Sequence, residues 1–273
     1  MESSIVRHLR PEFEPVAVVW SDTLPDGTVQ YKKGKFGCVL YLFAQASRRG
    51  KITGGNRETI TCEGGRAALG LAPEFATSKE DLHNYSAVFS KGLKSARDID
   101  AYEKRMQAVP ESWRHLYEYG ERRHCSFELA ESWLLHGLPR YNISDEYVLF
   151  KPLCLTSLED NLRAVIFPVN PVELAGLVTL AGSLMEGTDP VQVPQGPECT
   201  SITAFAHAQA ESEAPKAVLG LLGVDGRKVA RKRFRDDILT LTLPVRLFQK
   251  MEQEADDCVF QIPSWKTLIG EQM

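Results

Sequence analysis

The stretch that most limits what this chain can fold into is AVIFPVNPVELAGLVTLAG, residues 164–182. Its first part is a short apolar β segment. Its second part opens a helix with three start signals: Asn170 as cap, Pro171 in the first turn and Glu173 three residues after the cap. Leu174, Leu177, Val178, Ala181 and Leu184 then fall on one face of that helix. A strand running straight into a capped amphipathic helix calls for a sheet with helices laid against it.

The rest of the chain repeats these ingredients. PVAVVW (15–20) reads as a first strand, and Val39, Leu42, Phe43 and Ala46 recur at helical spacing between Phe36 and Arg48, with Gly50 as the stop. RETITC (57–62) reads as a short strand, and residues 92–140 as amphipathic helix broken at Pro110 and Gly120. YVLFKPL and AVIFPV form two β segments around the turn TSLEDN. VPQGPECTSITAFAHAQ is a loop feeding a helix, KAVLGLLG and DILTLTLP are strands around a basic segment, and VRLFQKMEQEAD is a last helix. With no repeat and no linker long enough to divide it, the chain is expected to form one compact α+β domain over residues 1–273. A mixed sheet is expected to be packed by several amphipathic helices.

A 43% hydrophobic fraction and 25% charged residues are ordinary for a soluble protein. The formal net charge of -4 argues against nonspecific nucleic-acid binding. The opening MESSIVRHLRPEFEP has no apolar run behind a basic leader, and the longest apolar runs are too short for a bilayer. No membrane partner is expected, and the cytoplasm is the expected compartment. Six cysteines are too sparse for a disulfide framework and should be free or ligating there.

Three of those cysteines share one local setting. Cys38 follows Gly37 at the start of a helix, Cys62 precedes Gly64-Gly65 at the start of the next, and Cys199 follows Gly196-Pro197-Glu198 where another begins. Helix starts present unpaired N–H groups and a positive dipole end, so they favour thiolate over thiol. Brought together, three thiolates could hold a metal ion with an open site, or three irons of a four-iron cluster. Against this, free cysteine is commonly a small packed hydrophobe, and separations of 24 and 137 positions carry no CxxC rhythm. Cys125, Cys154 and Cys258 read as packing residues.

Gly64, Gly65 and Arg66 could cradle a small anion: glycine lets the backbone approach, and arginine adds charge. A tight turn into a close-packed helix explains the glycines better, because neither nucleotide-binding glycine pattern is present. RKVARKRFR (227–235) carries six basic residues in nine, but Asp236-Asp237 follow at once, and a solvated helix face suffices. His124 beside Cys125, and the aromatic band Trp113, Tyr117, Tyr119 and Trp133, hint only faintly at a ligand wall. GxSxG, HExxH and CxxC are all absent, so hydrolase, zinc-protease and thioredoxin-like chemistry have no motif.

Taken in order, PVAVVW, FGCVLYLFAQASRRGK, ITCEGGRAALGL, VIFPVNPVELAGLVTLAG, GPECTSI, SEAPKAVLGLLGVDGRK and DILTLTLPVRLFQKMEQ resemble the uncharacterised domain of unknown function 169 family over about residues 11–260. The Cys-x-Gly-Gly-x-x-x-Leu-Gly stretch and the Asn-Pro-x-x-Leu helix start carry most of that likeness. The resemblance implies a cysteine at the positions of Cys38, Cys62 and Cys199 and a glycine pair after the second. It also implies an archaeal and bacterial spread, often anaerobic, in which an exposed iron–sulfur cluster could survive.

Two readings follow. In the first, Cys38, Cys62 and Cys199 hold a [4Fe-4S] cluster or another metal ion beside Gly64, Gly65 and Arg66, for redox or Lewis-acid chemistry on a small anionic substrate. In the second, the cysteines are packed and the chain is a non-catalytic module binding a small metabolite. A protein contact through the basic face at 227–235 is a third, lesser expectation.

Overall fold

The computed structural model describes residues 2–93, 103, 106–107 and 111–270. Its centre is a seven-stranded sheet: β1 (Val16–Ser21), β2 (Thr53–Gly55), β3 (Tyr147–Pro152), β4 (Asn161–Val169), β5 (Val191–Gln192), β6 (Ala217–Gly220) and β7 (Leu239–Pro244). The order across the sheet is β2-β3-β1-β4-β7-β6-β5. Every pairing is antiparallel except β5 with β6, so the sheet is mixed. The α+β class expected from the sequence is the class observed.

Strand β1 shows why the sheet sits in the middle. Val16 and Val18 face one core while Ala17 and Val19 face the other, so alternate side chains are buried on both sides. On the second side lie α1 (Ser4–Leu9), α7 (Pro171–Ser183), α10 (Val245–Glu254) and α11 (Pro263–Leu268), around Phe167, Phe248, Phe260 and Trp265. The start signals of α7 act as expected. Asn170 Oδ1 accepts the amides of Val172 and Glu173 at 2.9 and 3.0 Å, and Glu173 accepts the Asn170 amide at 2.7 Å. Glu173 also accepts the Glu12 amide at 2.9 Å, tying the N-terminal segment to this layer.

The first side carries α2 (Val39–Arg49), α8 (Phe205–Ala210) and α9 (Val224–Ala230), packed over Val18, Phe150, Ile166 and Val218. Gly50 ends α2 in the left-handed conformation at φ 60°, as a glycine stop should. A smaller lobe with its own core, around Phe75, Tyr85, Val88, Phe89 and Leu134, is built from α4 (Lys79–Phe89) and α6 (Phe127–Ser132). Helices α3 (Glu63–Ala68) and α5 (Glu111–Tyr119) complete this side.

Three sequence expectations differ from the fold. RETITC is not a strand: Asn56 Oδ1 accepts the amides of Glu58 and Thr59, and the chain turns; the strand is Thr53–Gly55 instead. VRLFQKMEQEAD is not the last helix, because α11 follows it with Pro263 in its first turn. Cys154 and Cys125 are exposed rather than packed. The proposed break at Pro110 lies outside the described residues, as does the side chain of Trp113.

Candidate functional site

Each of the three cysteines occupies the residue before a helical segment. Cys38 precedes α2, Cys62 precedes α3, and Cys199 precedes a π-helical turn at Thr200–Ala204 that leads into α8. Two local ties draw the first pair together. The Cys62 amide donates to the Gly37 carbonyl at 3.3 Å, and the Gly37 amide donates to Thr61 Oγ1 at 2.8 Å. Gly37 allows this approach, because a Cβ there would run into the Thr59 carbonyl and the Tyr31 ring. A third tie brings Cys199 in: Thr203 Oγ1 lies 2.7 Å from the carbonyls of both Ala68, in α3, and Cys199. The wide π turn is a further local feature, of a kind that often marks functional sites.

The result is one pocket of about 110 Å³, between the first core and the lobe, lined by all three cysteines with Gly64 and Gly65. A Cβ on Gly65 would lie 2.9 Å from Val39 Cγ2 and 3.6 Å from Cys62 Sγ, so the bare backbone keeps the sulfur's surroundings open. Phe75, Tyr85, Val88 and Phe89 supply an apolar wall. Arg66 is not in this lining. Its guanidinium instead reaches the Arg57 carbonyl at 3.4 Å, because one step along α3 turns the side chain away from the pocket. The guanidinium that does line the pocket belongs to Arg123, paired with Glu121 and donating to the Gly196 carbonyl at 2.8 Å.

The ionisation of the thiols is opposite to the helix-start expectation. Burial pushes Cys62 up to about 12, with the neighbouring Cys38 adding to the rise. Burial likewise raises Cys38, although the amides of Tyr41 and Leu40 offset part of it. Cys199 is raised furthest, by burial first and then by Cys62 and Cys38. Desolvation outweighs the pull of the helix-start amides. The pocket therefore favours the neutral thiol at all three positions, and an ionised Cys38 or Cys62 would push the others up further.

Among the described residues, no three His, Cys, Asp or Glu side chains are grouped to hold one metal ion. Sulfurs that each bind a different iron of a cluster stand further apart than ligands of a single ion. Glu198, next to Cys199, is the residue sequence reasoning passed over. It is 3% exposed, its Oε1 accepts the Gly223 amide, and its Oε2 makes no direct hydrogen bond among the described residues, while burial pushes the carboxyl up against the opposing pull of the Leu221 and Leu222 amides and the Arg123 charge. Its one sequence signal was position, directly before a cysteine at a helix start.

The other motifs are used within the fold. Arg227 donates to the carbonyls of Ile238 and Asp236, Arg235 pairs with Glu12 at 2.5 Å and Asp237 at 3.0 Å, and Arg233 stacks 4.0 Å over the Tyr41 ring. His124 lies 5.8 Å from the Trp133 ring, away from any ligand set. No helix among the described residues is long and apolar enough to cross a membrane.

Fold and site together define an α+β protein with a cysteine-lined pocket where a helical lobe meets the sheet. The chain belongs to the uncharacterised ArCR family, domain of unknown function 169, whose model matches residues 4–254. No curated protein and no solved structure matches it.

Proposed function

We propose that Cys38, Cys62 and Cys199 are ligands of an iron–sulfur cluster, most simply a [4Fe-4S] cluster with one iron left without a protein ligand. The observation that carries this is convergence. Thiols separated by 24 and 137 positions, from three different helix starts, line one pocket beside two residues without side chains. Thiols are the donor type that iron–sulfur clusters take, and the apolar wall would exclude water from such a group.

When bound, the cluster would supply an electron-transfer point or a Lewis-acidic iron for a small anionic substrate. The chain's own residues have separate tasks. Gly64 and Gly65 leave room for approach, and Arg123 brings a guanidinium to the same pocket, the role the sequence suggested for Arg66. Glu121 holds that guanidinium in place. Neutral thiols must lose protons as they ligate, so loading should release protons and be favoured by mildly alkaline solution.

The test is purification without oxygen, followed by reconstitution and assays of iron, sulfide and visible absorption. About four irons and four sulfides per chain are expected. Substituting all three cysteines by serine should abolish both. A colourless, iron-free protein after reconstitution overturns the proposal.

One observation favours the second reading, a non-catalytic metabolite-binding module with packed cysteines: all three thiols are buried in an apolar-walled pocket that raises them. On that reading the triple serine variant keeps its small-molecule binding.

A further inference from the structure

The cysteine pocket has two parts of different chemistry. The thiols enter from the starts of α2 and α3 and from the π turn before α8. The lobe supplies Phe75 and, from α4, Tyr85, Val88 and Phe89, with Leu116 of α5 beside them. Steps of three and four residues put the α4 side chains on one face of that helix. The ring centroids stand 4.3 Å apart for Phe75 and Tyr85 and 6.4 Å apart for Tyr85 and Phe89. Phe75, Tyr85 and Phe89 keep 7%, 6% and 5% exposure, whereas Phe150 and Phe167 in the two cores are 0% exposed. The three rings border space instead of filling it. Aliphatic side chains would keep water off a cluster equally well; a row of rings adds a surface on which another ring gains contact beyond its buried area.

The charged groups in the lining are already engaged. Arg123 pairs with Glu121 and donates to the Gly196 carbonyl at 2.8 Å. Glu198 accepts the Gly223 amide beside the same guanidinium. Asp225, half-buried, also lines a neighbouring cavity of about 390 Å³ and a groove beside Lys228 and Lys232. A charged head group meets both signs here, so the affinity of a ligand has to come from its body. Size sets the upper limit of that body. Apolar cavities of about 150 Å³ take up one benzene ring, and this pocket measures about 110 Å³. A single ring is the largest body it accepts.

We propose that the substrate of this pocket carries a single aromatic ring, which packs on Phe75, Tyr85 and Phe89. The inference rests on the reading of the pocket as a ligand site and names the body of that ligand; its test needs no cluster. NMR-monitored titrations of the metal-free full chain use benzyl alcohol, benzoate, cyclohexylmethanol, methanol and acetate. Saturable binding of at least one aromatic probe is expected, with methanol and acetate weaker by about tenfold or more for want of the buried ring. Cyclohexylmethanol, apolar but not aromatic, should bind severalfold more weakly than benzyl alcohol.

Phe89→Leu removes one ring from the wall and should weaken the aromatic probe about two- to tenfold. If Phe89→Leu does not fold, Phe75→Leu carries the test. Val224→Ala, at an 84% exposed position on the neighbouring cavity, should leave binding unchanged. No saturable binding by either aromatic probe, equal binding of the ringless or cyclohexyl probes, indifference of both ring variants, or loss of binding in Val224→Ala would overturn the inference. Iron and sulfide content report on the cluster separately. A chain that loads a cluster without taking a ring fails here alone, and one that takes a ring without loading a cluster fails only there.

Discussion

The two sides of the central sheet are finished differently. On the side of α1, α7, α10 and α11 the interior is closed and apolar, filled by Phe167, Phe248, Phe260 and Trp265. Gly176 there admits the Trp265 ring so closely that a Cβ would lie 2.5 Å from it. The other side and its lobe hold the buried polar atoms that lack a partner among the described residues. These are Arg66 Nε, Asn84 Nδ2, Arg163 Nε, Glu198 Oε2, His207 Nδ1 and Thr240 Oγ1. They hold both cavities as well. One layer is built for stability, and the other leaves polar groups and space that folding alone does not require.

The largest effect should come from the closed side. Phe167 is fully buried, and Phe167→Ala should cost about 3–5 kcal/mol in urea unfolding. Phe75 lines the cysteine pocket, where space already exists, so Phe75→Ala should cost about 1–3 kcal/mol. Equal losses at the two positions would break the comparison.

Alkaline solution should act on the open side next. The thiols ionise less readily in the folded chain than in the unfolded one, so the native state keeps protons that the unfolded state releases. Metal-free protein should therefore be fully stable below about pH 9 and lose stability as pH rises from there toward 12, the level to which Cys62 is pushed. The slope is about 1.4 kcal/mol per pH unit for each thiol. Burial also raises Tyr31 and Tyr141, so the comparison belongs between about pH 8 and pH 10, below the ordinary tyrosine range. The triple serine variant should fall less steeply across that window, keeping only the smaller contributions of Cys154 and Cys258, which are also raised. A wild-type slope no steeper than the variant's would mean the three sulfurs are not desolvated.

What the sequence disclosed follows from how local each signal is. The start of α7 was readable because Asn170, Pro171 and Glu173 act within one turn. The grouping of Cys38, Cys62 and Cys199 was suggested by a shared local context, while the ties that bring them together run through Gly37, Thr61 and Thr203 and carry no pattern. Arg66 was misplaced because a motif does not say which face of a helix meets a pocket. Ionisation was misjudged for the same reason: the dipole is written in the helix start, but burial is decided by chain elsewhere. Arg123 and Glu198 owe their roles to partners at Gly196 and Gly223, and only the fold supplies those.

A smaller effect is expected at the loop that cups Glu198. Gly226→Ala would place a methyl group against Glu198 Cγ and 2.7 Å from its Cδ, and the carboxylate would have to move. A loss of about 1–3 kcal/mol is expected in urea unfolding. Gly64→Ala, where an added Cβ meets nothing within 4 Å, is the matched control and should leave stability within about 0.5 kcal/mol. A tolerant Gly226 would mean that the Glu198 seat is not fixed.

The smallest effect separates helix starts on the two sides. Asn170 caps α7 with two hydrogen bonds, and Asn170→Ala should cost about 1 kcal/mol. Cys38 and Cys62 stand at the equivalent place in α2 and α3 without a side-chain cap bond. Serine is a preferred cap, so Cys38→Ser and Cys62→Ser should each be neutral or stabilising by about 0.5 kcal/mol in metal-free protein. The measurement is the urea midpoint of each single variant near pH 7, where the thiols are neutral. A gain would mean that a better helix start lies one atom away and that the sulfur sits there for something other than the helix. A loss above about 1 kcal/mol at both would return the cysteines to ordinary packing.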